Sequence, residues 1–263
     1  MTRFQLILHT ASFAFLTTIA YAAEPESQSW MINGVERHAL VYTPSKGDHS
    51  TPAPIVFVFH GHGGSAQNVD RTMHIQTVWP EAFVVYMQGI PTPTRVDPDG
   101  KKPGWQCAPG QVGDRDLKFF DTVLANFRKK YPIEVNRVYA TGFSNGGVFT
   151  YVLWSERPNV FAAFAPCAGL PLPGVHVKVP KPAFIVAGEA DPLVKIENQR
   201  SMIEEIRKID GATSAGKRID VATLYQSEQG TPVETLIHSG GHVLPKEAPK
   251  LIVDFFRAHE LKK

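Results

Sequence analysis

A serine hydroxyl becomes a nucleophile where a base can take its proton, a carboxylate can steady that base, and backbone N–H groups can receive the charge developing on the attacked oxygen. The pentapeptide Gly142-Phe143-Ser144-Asn145-Gly146 offers such a serine. A Gly-x-Ser-x-Gly match alone is weak in a chain with 21 glycines, so its surroundings decide its weight. Val138-Tyr139-Ala140-Thr141 reads as a strand directly before it, and Gly147 to Trp154 reads as a helix directly after it. A sharp turn between the two lifts the Ser144 hydroxyl out of a sheet and sets it at a helix amino terminus, which favours negative charge. A glycine-rich turn that merely connects two elements is the plainer alternative.

The base and its carboxylate have candidates of the same kind. His242, in Ser239-Gly240-Gly241-His242, lies just past a strand at 233–237 and before the last helix. Asp191, in Gly188-Glu189-Ala190-Asp191-Pro192, follows the apolar run Ala183-Phe184-Ile185-Val186-Ala187. Together they supply a proton acceptor and the group that fixes its tautomer. His238 remains the alternative base and Glu189 the alternative acid.

Two N–H donors are required for the oxyanion. One is expected from Asn145, the residue after the nucleophile. The other is assigned to His62 in His60-Gly61-His62-Gly63-Gly64, which follows the strand Phe57-Val58-Phe59, with Gly63 as the fallback. Metal binding by His60 and His62 is disfavoured, since neither carboxylate nor cysteine accompanies them at ligand spacing. No metal and no cofactor are expected.

These residues need a scaffold that ends several strands on one edge. Apolar runs of four to seven residues alternate with segments of helical period, which implies an α/β chain with a mostly parallel central sheet and helices on both faces. Strands are expected at 39–42, 55–59, 82–87, 137–141, 161–164, 183–187 and 233–237. Helices are expected at 117–130, stopped by Tyr131-Pro132, and at 245–259. The segment 89–114 carries five prolines and five glycines and is far longer than the usual connection of about 4 to 6 residues. Because it follows a strand, it should lie at the carboxyl edge of the sheet, where such folds bind ligands. Trp105 and Cys107 inside it argue that it is anchored, and Trp105 is the candidate for a substrate wall.

The 263 residues are 43% hydrophobic and 20% charged, an ordinary globular balance with room for one sizeable core. A net charge of +2, without runs of either sign, gives no reason to expect nucleic acid or an anionic membrane as partner. Met1-Thr2-Arg3, the mostly apolar stretch 4–19 and Ala20-Tyr21-Ala22 form a signal-peptide pattern. Residues 1–22 are therefore expected to be removed, leaving a secreted or periplasmic catalytic domain at 23–263. In an oxidising compartment the two cysteines, Cys107 and Cys167, can pair. Closing that loop of about 60 residues would stabilise the fold by roughly 4 kcal/mol.

Several blocks of this sequence resemble the extracellular esterase family of feruloyl esterases, acetylxylan esterases and polyhydroxybutyrate depolymerases, within the α/β-hydrolase superfamily. They are Glu36 to Pro44, His60 to Ser65, Asp116 to Asp121, Arg137 to Gly147, Gly188 to Val194 and Gly240 to His242. The resemblance covers about 32–256 and implies an α/β-hydrolase fold, whose triad order Ser, Asp, His matches Ser144, Asp191 and His242. It departs at His62, where the polyester enzymes often show cysteine. Too few residues separate the strand at 161–164 from Asp191 for a large cap, so an open site is expected. The implied activity is a serine carboxylic ester hydrolase, with feruloyl, acetyl or hydroxyacyl esters undistinguished. A peptidase or acyl-transfer enzyme on the same fold is the first rival, and a catalytically silent carbohydrate-binding protein the second.

Overall fold

Along Ala53–Phe59 every residue is buried, and successive side chains serve different cores. Ile55, Phe57 and Phe59 enter one hydrophobic cluster, while Val56 and Val58 enter another on the opposite face. A strand covered on both faces must be apolar at every position, which is why these runs do not alternate with polar residues. The computed structural model describes residues 24–46 and 51–261. The expected signal segment, residues 1–22, lies outside the described residues.

In chain order the elements are β1 (Glu26–Ile32), β2 (Val35–Tyr42), β3 (Ala53–Phe59), α1 (Ala66–Met73), α2 (Ile75–Val78), β4 (Phe83–Met87), β5 (Ile90–Pro91) and β6 (Pro103–Gly104), followed by α3 (Arg115–Lys130), β7 (Ile133–Phe143) and α4 (Asn145–Glu156). The second half comprises β8 (Ala163–Cys167), β9 (Ala183–Gly188), α5 (Ile196–Ile209), β10 (Lys217–Ile219), β11 (Ala222–Tyr225), β12 (Val233–His238) and α6 (Ala248–Arg257). Ten strands form one sheet in the order β1-β2-β4-β3-β7-β8-β9-β12-β11-β10. Its centre, from β4 to β12, is parallel. Antiparallel strands extend both edges. The fold is α/β with a mostly parallel sheet, as the alternation of apolar runs implies.

Helices α3, α4 and α5 bury Phe120, Phe149 and Ile203 against one face. On the other face α1 and α6 bury Val69, Met73, Ile252 and Phe256. Helix α4 is apolar on nearly every side and correspondingly enclosed, with Phe149, Tyr151 and Trp154 fully buried. All seven expected strands are present, several longer than expected. The one expected at 161–164 pairs with its neighbour from Ala163 instead, and the last helix is shorter than 245–259. Among the described residues no helix is long and apolar enough to cross a membrane.

Candidate active site

The turn after β7 is tight enough to exclude side chains beside the serine. A Cβ on Gly142 would lie 2.5 Å from the Gly146 backbone, and one on Gly146 would collide with the Phe59 carbonyl of the neighbouring strand. Ser144 itself takes φ 58°, ψ −117° at the start of α4, a conformation that costs on the order of 1–3 kcal/mol for a residue with a side chain. Its N–H donates to the Cys167 carbonyl on β8 (2.9 Å), which fixes the turn to the sheet.

His242 comes from the loop after β12, and its Nε2 stands 2.8 Å from Ser144 Oγ. Its Nδ1 stands 2.7 Å from Asp191 Oδ2, on the loop after β9. A carboxylate oxygen only accepts, so Nδ1 carries the proton and Nε2 is left to accept from Ser144. The Asp191 side chain is wholly buried, and its Oδ1 accepts from the N–H groups of Leu193 (2.8 Å) and Val194 (2.9 Å). The Phe143 ring packs 4.9 Å from the His242 ring and restricts its rotation. The alternatives are engaged elsewhere. Nδ1 of His238 accepts from Gly240 N–H, and Glu189 is half exposed in an ion pair with Arg200.

The N–H groups of His62 and Asn145 have no hydrogen-bond partner among the described residues, whereas Gly63 N–H donates to Pro103 carbonyl (2.7 Å). Gly63, the fallback donor, is therefore occupied. His60 anchors this loop from below: its Nε2 accepts from Gly89 N–H (2.9 Å), which leaves Nδ1 to donate to the Gly61 carbonyl (2.7 Å). Burial pushes the His60 imidazole down to about 4, so it stays neutral in this pinning role. The His62 ring lies across the site, with Nε2 bonded to Asp97 Oδ2 at 3.1 Å. Asp97 also accepts from Lys102 N–H, which together with the His62 bond holds its carboxyl below the usual range.

The long segment 89–114 is anchored. Its hairpin β5–β6 is backed by a buried ion pair, Arg37 to Asp116 (2.8 Å), whose second carboxylate oxygen accepts from Gln106 N–H (2.8 Å). Gln106 Oε1 accepts in turn from the N–H groups of Asp116 and Leu117 at the start of α3. Burial lowers the Arg37 guanidinium's affinity for its proton, and Asp116 opposes that effect. The Asn145 side chain ties the same segment to the Ser144 turn, accepting from Trp105 N–H (2.7 Å) and donating to Trp105 carbonyl (3.1 Å) and Cys107 Sγ (3.3 Å).

Two expectations require correction. Trp105 is 0% exposed, donates its indole N–H to the His60 carbonyl and packs against Phe59 and Phe149. It is a plug beneath the site and not a substrate wall, because its indole N–H finds a partner only inside. Cys107 and Cys167 are both free thiols, so the expected disulfide is not formed. Cys107 faces Asn145, while Cys167 is enclosed on β8 beside Thr141. Burial raises the two thiols to about 11 and about 12, which disfavours the thiolate needed for oxidation.

Two clefts adjoin His242. One, of about 420 Å³, opens beside Ser144 and is walled by Val148, Leu170, Leu172 and Val194, with Arg95 and Lys195 also lining it. The other, of about 410 Å³, is lined by Val69, Met73, Phe143 and Leu244, with Asn68 and Thr72 as polar members. His62 and His242 border both. Sequence reasoning missed Asp97, Gly104, Arg95 and Lys195. The only signal for the first three was their place in the long segment after a strand, and for Lys195 its place just beyond Asp191.

No family model matches the chain. It is similar to feruloyl esterase D of Neurospora crassa, 27% identical over 227 residues that make up 80% of this chain and 75% of that protein. It is also 29% identical, over 177 residues, to a bifunctional acetylxylan esterase/xylanase of Neocallimastix patriciarum. That match takes in 66% of this chain but only 24% of the longer protein. Among solved structures, an acetyl xylan esterase from Aspergillus awamori superposes with a TM-score of 0.67 at 15% identity, covering 88% of this chain and 99% of that one.

Proposed function

We propose that this chain, a carboxylic ester hydrolase of the α/β-hydrolase fold akin to feruloyl and acetylxylan esterases, works as a serine esterase through an acyl-enzyme. The observation that carries the reading is the unbroken run from Asp191 through His242 to Ser144 Oγ, with two unspent N–H groups beside it. Ser144 Oγ attacks the ester carbonyl carbon while His242 Nε2 takes the hydroxyl proton. The oxyanion is received by the N–H groups of His62 and Asn145, which are worth about 2.7–4 kcal/mol each in comparable sites. His242 then returns the proton to the departing alcohol. Water, activated by the same imidazole, releases the acid and restores Ser144. Asp191 holds the imidazole in the productive tautomer throughout.

The substrates that fit this reading are feruloyl or acetyl esters of plant polysaccharide, or hydroxyalkanoate esters of the polyhydroxybutyrate type. Two clefts on either side of His242, both open to solvent, suit an ester with a bulky group on each side of the scissile bond. Export belongs to the same reading and rests on the residue pattern of 1–22. Replacing Ser144 with alanine should lower hydrolysis of feruloyl, acetyl and hydroxyacyl test esters by on the order of 10⁶-fold and abolish labelling by a fluorophosphonate. Undiminished hydrolysis by Ser144→Ala would sink the assignment.

A further inference from the structure

The two clefts are nearly equal in size and differ in charge. Among the described residues no Asp or Glu lines the cleft beside Ser144, yet Arg95 and Lys195 both do, from separate loops. Neither cation has a carboxylate within ion-pair distance among the described residues. The nearest acid along the chain to Arg95, Asp97, is already engaged by His62 and Lys102 N–H. Among the described residues the second cleft is lined by no Lys, Arg, Asp or Glu, and its His60 is held neutral.

Each cation also sits next to an apolar side chain that solvent would ordinarily exclude. Val96, after Arg95, is 66% exposed, and Leu193, two residues before Lys195, is 56% exposed. Both line the same cleft. A neutral apolar group would be served by the valine and leucines alone, and a fully charged one would gain nothing from them. A ligand with an apolar body and an anionic end uses the whole surface.

We infer that the ester this enzyme takes carries a carboxylate on the part that fills the Ser144 cleft, where Arg95 and Lys195 receive it, and a neutral group on the part that fills the other. The inference rests on the serine-esterase reading and sharpens it to a substrate class. The carboxylate belongs either to the acyl group, as in a half-ester of a dicarboxylic acid, or to the alcohol, as in an acidic sugar or hydroxy acid. Arg95 and Lys195 are specificity residues with no part in bond breaking. Both are exposed, so their effect is modest and screened by salt.

Matched esters test this. One pair places the charge on the acyl side: the para-nitrophenyl monoester of suberic acid against para-nitrophenyl methyl suberate. The other places it on the alcohol side: para-acetoxybenzoate against its methyl ester. In one pair, the ratio of kcat/KM for the anionic over the neutral member should fall about tenfold in Arg95→Ala/Lys195→Ala relative to the unaltered enzyme, and the unaltered enzyme's ratio should shrink toward that value in high salt. Intrinsic ester reactivity cancels, because both proteins see the same pair. Ratios unchanged by the double substitution in both pairs would overturn the inference. Calorimetry of suberate binding to Ser144→Ala needs no turnover: binding lost on adding the Arg95 and Lys195 substitutions supports the anion site, and absence of binding overturns it. Failure to cleave any member of either pair counts against the Ser144 reading, while the suberate measurement still decides this one.

Discussion

His242 and His62 stand on the border of the same two clefts, and each is bonded to an aspartate, at 2.7 Å and 3.1 Å. Their other ring nitrogens meet different fates. Nε2 of His242 reaches Ser144 Oγ, whereas Nδ1 of His62 is buried without a partner among the described residues. Nδ1 of His62 faces Gly104, where an added Cβ would lie 2.6 Å from it. A histidine–carboxylate pair is therefore not a catalytic base in itself. On the proposed reading it becomes one where its free nitrogen meets a serine hydroxyl, and otherwise it braces the loop that carries it.

The largest contrast should come from the carboxylates. Asp191→Asn leaves the geometry but allows the wrong His242 tautomer, and kcat should drop by about 10⁴-fold on a short activated ester. Gly104→Ala tests the brace sterically. Its Cβ would press on His62 Nδ1 and, at 2.8 Å, on Asn145 Oδ1, displacing both N–H donors together. A fall in kcat on the order of 10²-fold with little change in KM is expected. Asp97→Asn should have the smallest effect, about threefold in kcat/KM, since asparagine oxygen can still accept from His62 and Lys102. A loss near that of Asp191→Asn would erase the distinction and place the His62 ring in the proton transfer.

Ser144, Asp191 and His242 were legible because each stands just past a long apolar strand, and strands of a parallel sheet end on one edge. Their assembly into one cluster follows from the sheet order, with β7, β9 and β12 separated only by β8 between the first two. The brace was not legible. Asp97 meets His62 through a hairpin whose shape is set by bonds distant in sequence, Arg37 to Asp116 and Asn145 to Trp105. A tryptophan in a Pro- and Gly-rich segment reads the same whether it plugs or lines a site, which is why Trp105 misled. The edge strands β1, β10 and β11 escaped notice because they are short or polar, as in Glu26-Ser27-Gln28-Ser29. Helix α5 had a readable apolar stripe in Met202, Ile203 and Ile206, diluted by charged neighbours.

The Asn145 side chain gives the site a property beyond position. By accepting from Trp105 N–H and donating to the Trp105 carbonyl, it replaces the strand partner that this stretch of loop lacks. The segment and the Ser144 turn thereby become one unit of local stability. The Trp105 amide hydrogen is released to solvent only by an opening that also disturbs Ser144, so in hydrogen exchange the loop around Trp105 belongs with the core and its tip at Arg95 with the surface.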